Sequence, residues 1–340
     1  MFAGAWASFR LVRNFYNASL PIEFWSYADE MPRFPPSVRH AVAKMNALHG
    51  PLEHKIMNAT AIDVPGAVGF NSMPLALIHS ELSEVLALDS DAVLLVDPEI
   101  IFQSLPYKQT GTLFLWDRPI TWWSKNALAF NSTWMADFLD NFASRDRTTV
   151  PVRNASAFWR QLSNRVNGTL KHVGESSLLL WDKRRHHRSL VILEKLVSDY
   201  AQEVYSHVHG DKETFWMACA LAGAPFAFDD WAVANWKVQH SLPGLGQMHY
   251  LPGKDAIPMV LNRCKSAACG LGDDRQLMLT TRMPNMLTAD LTQLSSFGEW
   301  SRTFKWVKAA PYLLHVLDAH RKYYEEGVRI FKTSSSFADD

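Results

Sequence analysis

Two carboxylates one residue apart, Asp89 and Asp91, follow the apolar run EVLAL and precede AVLLVDP. A pair so spaced can converge on a hard divalent cation. Mg²⁺ or Mn²⁺ is commonly held by one or two carboxylates and completes its shell with phosphate oxygens, so the chemistry on offer is neutralisation of a diphosphate. An Asp-x-Asp also arises by chance, and a plain acidic turn before Asp97-Pro98 accounts for it without any ligand. Its placement directly after an apolar strand favours the cation, because ligands of open α/β sheets gather beyond strand ends.

The same residues permit a second chemistry. An apolar strand followed by Asp-x-Asp-x-Val is similar to the nucleophile loop of haloacid-dehalogenase-like phosphatases, in which Asp89 would attack phosphorus. A second acid pair for that reading is Asp229 and Asp230, after the apolar PFAF.

These residues need a scaffold. EVLAL is a continuous apolar run, the pattern of a central parallel strand covered on both faces. Around it the chain alternates. A helix is expected over residues 4 to 16, a strand at LPIEFWSY (20 to 27), a helix from Ser37 to Leu48, a strand at MNATAIDV and a short helix from Met73. GTLFLWDR (111 to 118) and SSLLLWDK (176 to 183) read as strands, and TWMADFLDNF and ASAFWRQLSNRV as helices. SLVILEKLVSDYAQEVYSHV reads as one long helix, HGDKETFWMACAL as a helix with polar groups in its first turn, QMHYL and PMVLNR as strands, and PYLLHVLDAHRKYYEEGVRIF as a C-terminal helix. With no repeat and no linker, the expectation is one mixed α/β domain over residues 1–265 and a C-terminal extension over 266–340.

Composition narrows the class. The chain has 340 residues with 34 basic and 34 acidic side chains, a balance that provides no extended surface for nucleic acid. Its 13 tryptophans exceed what a core ordinarily uses, and aromatic rings at a cleft edge stack on apolar sugar faces. Asn17, Asn58, Asn131, Asn154 and Asn167 each open an Asn-x-Ser/Thr sequon, more than chance yields, which points to a secretory lumen. Cys264 and Cys269 are close enough in sequence to bridge there, whereas Cys219 falls in an apolar helical pattern as a packed thiol. No apolar run reaches the ~18 residues of a membrane span. Either the sequons are unused, or the sequence begins downstream of its true start.

In order, LPIEFWSYADEM, EVLALDSDAVLLVDP, GTLFLWDR, GESSLLLWDK and HGDKETFWMACALAG resemble the Golgi α-mannosyltransferase family typified by fungal α-1,3-mannosyltransferases, from about Trp6 to Asn262. The resemblance implies a glycosyltransferase A-type, Rossmann-like mixed sheet flanked by helices. It also implies a nucleotide-sugar donor, usually GDP-mannose, a glycan or glycoprotein acceptor, Mn²⁺ (or Mg²⁺) on Asp89 and Asp91, and a type II membrane anchor in the Golgi. Family members open with a strand that this sequence lacks, so the expected sheet is short of its first strand. They also place a histidine on a late strand near the metal, where this sequence has Asn262, with His249 nearby as the substitute. Transfer from an α-linked donor to an α-linked product retains configuration, which asks for carboxylates near the sugar. On that reading Asp211 and Glu213 are catalytic, and His209, Gly210, Lys212, Glu175, Ser176, Lys183 and Trp116 bind substrate. Capping of a helix start by Asp211 and Glu213, worth about 1 kcal/mol, is the competing explanation. A sugar-binding subunit without turnover would keep the same fold.

Overall fold

The computed structural model describes residues 2–25, 36–37, 40, 71–117, 132–147, 149–165, 173–229, 234–237, 246–253, 257–262, 276–279, 305–308 and 311–332. In chain order the elements are α1 (Phe2–Arg10) with a π-helical turn (Leu11–Phe15), α2 (Ser72–His79), β1 (Glu84–Leu88), β2 (Val93–Leu94), α3 (Pro98–Ile101), α4 (Leu105–Thr110) and β3 (Thr112–Trp116). There follow α5 (Ser132–Arg145), α6 (Ala157–Arg165), β4 (Gly174–Asp182), α7 (His187–Val197), α8 (Ala201–His207) and α9 (Thr214–Ala222). The chain continues through β5 (Ala234–Lys237), β6 (Gly246–Tyr250), β7 (Pro258–Asn262), β8 (Gln276–Leu279) and β9 (Lys305–Lys308) to α10 (Pro311–Lys332).

Two sheets form, in the orders β1-β4-β3 and β2-β7-β6-β5-β8-β9. The pairings between their strands are antiparallel. Phe228 adds a parallel bridge to Phe114 beside β3. The apolar runs of β3 and β4 reflect burial on both faces. Leu113, Leu115, Leu178 and Leu180 pack with Val12, Leu94 and Val260, whereas Phe114, Trp116, Leu179 and Trp181 pack with Phe142, Leu193 and Trp216 of the helices. The second sheet puts Met248, Tyr250 and Leu261 against Leu313, Val316 and Leu317 of α10. Beyond residue 265, β8 and β9 extend that sheet, and α10 also lies along α1, where Arg10 meets Glu326 at 2.6 Å.

Three expectations change. EVLAL is not a central parallel strand: β1 pairs only with β4 among the described residues, antiparallel, and is buried at Val85 but exposed at Glu84. Residues 20–25 form no strand; at their entry Arg13 takes the carbonyls of Ala18 (2.6 Å) and Leu20, a local side-chain tie in place of a strand partner at that point. The long helix divides into α7 and α8, since Ser198 folds its hydroxyl back onto the Glu194 carbonyl (2.6 Å) and competes with the helical ladder. Cys219 is a buried free thiol as expected. The expected MNATAIDV strand, most of the Ser37–Leu48 helix, Asn58, Asn131, Asn167, Asp230, Cys264 and Cys269 lie outside the described residues.

Candidate active site

Strand register brings the chemistry to one end of the first sheet. Leu88 at the end of β1 lies opposite Leu178, and the Asp89 N–H continues the ladder to the Ser177 carbonyl at 2.9 Å. Trp116 at the end of β3 lies opposite Gly174, and Leu115 opposite Glu175. The carboxyl ends of two strands thus flank the amino end of β4, and Asp89, Asp117 and Glu175 meet there. The chain then turns, with the Ala92 N–H on the Asp89 carbonyl at 3.0 Å, and enters the second sheet, where Val93 pairs with Leu261. One register step further sets Ala92 across from Asn262. The Asp89–Ala92 turn therefore joins the two sheets, and α1 holds it. Ser8 donates to the Ala92 carbonyl at 3.0 Å, and Gly4 comes so close that a Cβ there would stand 2.0 Å from the Ser90 carbonyl oxygen.

Under the turn is a buried polar network. Lys212 Nζ contacts Glu175 Oε2 at 2.7 Å and Asp117 Oδ2 at 2.9 Å. Burial opposes the lysine's charge, but the two carboxylates outweigh it and raise its pKa. Gln247 donates to Asp117 Oδ1 at 2.8 Å, and Asn262 donates to Glu175 Oε1 at 3.0 Å and to Gln247 Oε1 at 3.2 Å. The Ser177 N–H also reaches Glu175 Oε1, at 3.1 Å. Strands β3, β4, β6 and β7 and the segment before α9 are therefore tied at one point. Gly174 permits this approach, since a Cβ there would stand 2.7 Å from the Lys212 carbonyl oxygen.

The segment His209 to Glu213 precedes α9. Capping does not explain its acids. The helix begins at Thr214, its N-cap Glu213 makes no side-chain cap bond, and Asp211 caps through its backbone carbonyl, which accepts the Thr214 N–H (2.9 Å) and hydroxyl (2.7 Å). The Asp211 side chain turns to Ser176, whose hydroxyl donates to Oδ1 at 3.2 Å. Burial pushes this carboxyl up to about 7. Glu213 is fully buried: Oε1 accepts the Val173 N–H at 2.8 Å and the Gly174 N–H at 3.4 Å, and Oε2 accepts the Trp216 indole N–H. Burial pushes it also up to about 7, against the opposing effect of those hydrogen bonds. Glu213 thus anchors the start of β4. Gly210 is buried with φ +70°, and His209 is exposed.

A family model described as "Mannosyltransferase putative" matches residues 4–238. The chain belongs to this mannosyltransferase family. Among its relatives, the Putative alpha-1,3-mannosyltransferase MNN15 of Candida albicans is 24% identical over 195 residues, which is 54% of this chain and 24% of the relative. MNN14 of the same organism, with the same description, is 26% identical over 156 residues, 45% of this chain and 21% of the relative. The Probable alpha-1,3-mannosyltransferase MNT4 of Saccharomyces cerevisiae is 28% identical over 173 residues, 47% of this chain and 28% of the relative. The aligned part thus spans between a fifth and three tenths of these relatives' own lengths.

The family match spans the Asp89 turn, Asp117, Glu175 and the Asp211 segment of this mannosyltransferase-family chain and stops short of β6 and β7. Asp89 is exposed and Asp91 half-buried. The Asp89 carboxyl group is nonetheless crowded by protein, and that loss of solvent together with the charge of Asp91 raises its pKa above the ordinary value. Among the described residues no three His, Cys, Asp or Glu side chains form a group able to hold a metal. Two carboxylates on a turn still suit Mg²⁺ or Mn²⁺ when substrate phosphates complete the shell. The residues offer a neutral donor too: Asn262 Oδ1 is buried and accepts no hydrogen bond, on the residue one register step across from the turn. His249 is buried, neither ring nitrogen makes a hydrogen bond, and Nδ1 stands 3.8 Å from Asp229 Oδ2.

Two expected substrate residues are placed elsewhere. Lys183 follows the far end of β4, about 23 Å from Ser176 at strand rise, and gives its ammonium to the carbonyls of Ile78 (3.0 Å) and Ser80. Trp116 is buried, stacks on Phe228 at 4.1 Å and donates its indole N–H to the Asp229 carbonyl at 3.0 Å. Sequence reasoning missed Asp117 and Gln247. Asp117 carried a signal, since it follows its apolar strand as directly as Asp89 follows EVLAL.

Proposed function

We propose that the chain carries the donor site of a glycosyltransferase that moves mannose from a nucleotide-diphospho-sugar, GDP-mannose, to a hydroxyl of a glycan or glycoprotein, with retention. The observation that carries this reading is the meeting of the Asp89–Asp91 turn, the Lys212 network and Asp211 at one sheet end, within a chain of a mannosyltransferase family. Charge supports a cation there. Among the described residues at this sheet end, Asp89, Asp91, Asp117 and Glu175 outnumber the ammonium of Lys212, so an anionic diphosphate would be repelled unless a divalent ion stood between. Mn²⁺ or Mg²⁺ held by Asp89 and Asp91, with Asn262 Oδ1 as neutral donor, would supply that neutralisation.

The side chains of the chain itself do the rest. Gly4 and Ser8 hold the metal turn against α1. Lys212 fixes Asp117 and Glu175, and it lends positive charge to the sheet end. Asp211, steadied by Ser176, faces the sugar, and the Glu213 anchor keeps its segment against β4. The compartment we propose is the Golgi lumen, with the whole protein anchored as a type II membrane protein. Asn17 and Asn154, the two sequons within the described residues, are exposed with φ +55° and +61° and can carry glycans outward. An endoglycosidase mobility shift of the secreted chain checks this, and its absence together with cytosolic fractionation would contradict it.

The phosphatase chemistry finds less support. Asp229 holds the Trp116 backbone N–H at 3.3 Å and faces a buried histidine, and so is built into the fold as a support. The deciding experiment is incubation of the purified chain with GDP-mannose, Mn²⁺ and an α-mannoside acceptor. Release of GDP with mannose transfer, dependent on the metal, is expected. Inorganic phosphate release would favour the phosphatase, and donor binding without turnover a sugar-binding subunit.

A further inference from the structure

Asp89, with one oxygen on the Ser90 N–H, and Asp91 lie on the turn assigned above to the cation. The remaining carboxylates of this site differ in how many of their oxygens are already engaged, and among these the count singles one out. Asp117 uses Oδ1 on Gln247 and Oδ2 on Lys212. Glu175 uses Oε1 on Ser177 and Asn262, and Oε2 on Lys212. Glu213 uses Oε1 on two backbone N–H groups and Oε2 on an indole. A carboxylate with both oxygens tied is a poor nucleophile, since attack on carbon would first require breaking those bonds. Asp211 is different. Its Oδ1 takes the Ser176 hydroxyl, and Oδ2 takes no hydrogen bond from the described residues. Nor does Lys212 pair with it, being held by Asp117 and Glu175.

We propose that Asp211 Oδ2 is the nucleophile of a two-step transfer, an assignment that rests on the glycosyltransferase reading above. In the first step Oδ2 attacks the anomeric carbon of the α-linked mannose from its β face. The C1–O bond to the diphosphate breaks, its electron pair leaves with the nucleoside diphosphate, and a β-mannosyl ester of Asp211 forms. In the second step the acceptor hydroxyl oxygen attacks C1 from the α face, the ester bond returns its pair to Asp211, and the hydroxyl proton passes to the departing diphosphate or to solvent. Two inversions give net retention. Ser176 holds the carboxylate orientation by binding the oxygen that does not react, and the Thr214 hydroxyl and N–H hold the Asp211 backbone.

Donor binding and transfer by the wild-type chain are measured first and decide the glycosyltransferase reading alone. The nucleophile is then tested with Asp211→Ala, which opens space where the carboxylate stood, and with Asp211→Asn, which keeps the Ser176 contact. Both are expected to stay folded, bind GDP-mannose and lose transfer by about a hundredfold or more. Added sodium azide should restore turnover to Asp211→Ala by taking the nucleophile's place. Because only one inversion then occurs, the product should be β-mannosyl azide, identified by NMR. A folded, donor-binding Asp211→Ala that gives no β-mannosyl azide, or Asp211→Asn that transfers at the wild-type rate, would overturn the assignment. If Asp211→Ala does not fold, Asp211→Gly takes its place in the azide test, and transfer at the wild-type rate by Asp211→Asn still refutes the role.

Discussion

Glu213 shows how much a single buried carboxylate can govern. Its folded pKa is raised to about 7 from 4.5. The folded chain therefore keeps a proton that the unfolded chain has already lost, and stability falls as pH rises through that window, with the penalty complete above the folded pKa. Glutamine cannot titrate. The stability of Glu213→Gln relative to wild type should therefore rise by about 2 kcal/mol between about pH 5 and about pH 8, read by urea denaturation at each pH. A pH-independent difference would mean that the carboxyl is not held neutral by burial. At this scale the sequence was informative where chemistry was local. Asp89 and Asp91 lie on one turn, and Asp211 lies beside the helix start where it was expected. Asp117 and Gln247 meet only through pairing of β3 with β4 and β6 with β7, 130 residues apart, which local pattern does not encode. Lys183 lies away from the Asp89 turn for a related reason, since a parallel β4 would bring its far end there and an antiparallel one brings its start.

Among the elements, α1 and the Asp89–Ala92 turn depend on each other most directly. In a solvent-exposed helix, replacing Gly by Ala stabilises by about 1 kcal/mol. Gly4→Ala should show the opposite sign. Its Cβ would meet the Ser90 carbonyl at 2.0 Å, and a backbone atom cannot rotate away, so either α1 or the turn must move. We expect destabilisation of about 1–3 kcal/mol in thermal melts, together with weaker metal-dependent donor binding. A stabilised Gly4→Ala would show that the helix does not support the turn. Most element types were legible because β3, β4, α9 and α10 carry long apolar patterns. Strand direction was not. A strand buried on both faces looks the same in a parallel or an antiparallel sheet, and only pairing partners distant in sequence decide between them.

The whole molecule places its polar site where two sheets meet, with apolar packing behind each. One sheet is covered by α5, α7 and α9, and the other by α10, and the charged network lies at the junction between the two. No helix among the described residues is long and apolar enough to cross a membrane. The central claim is that the Asp89–Asp91 turn recruits a divalent cation that binds the donor's diphosphate. Isothermal titration of GDP-mannose into the wild-type chain, with and without Mn²⁺, and into Asp89→Asn and Asp91→Asn, tests it most directly. Asparagine keeps the size of each side chain, and at position 89 it keeps an acceptor for the Ser90 N–H, so the turn should persist in both variants. Wild type should bind only when Mn²⁺ is present, and either substitution should weaken that binding about tenfold or more at unchanged melting temperature. Undiminished Mn²⁺-dependent binding in both variants, or equal wild-type affinity with and without the metal, would contradict it.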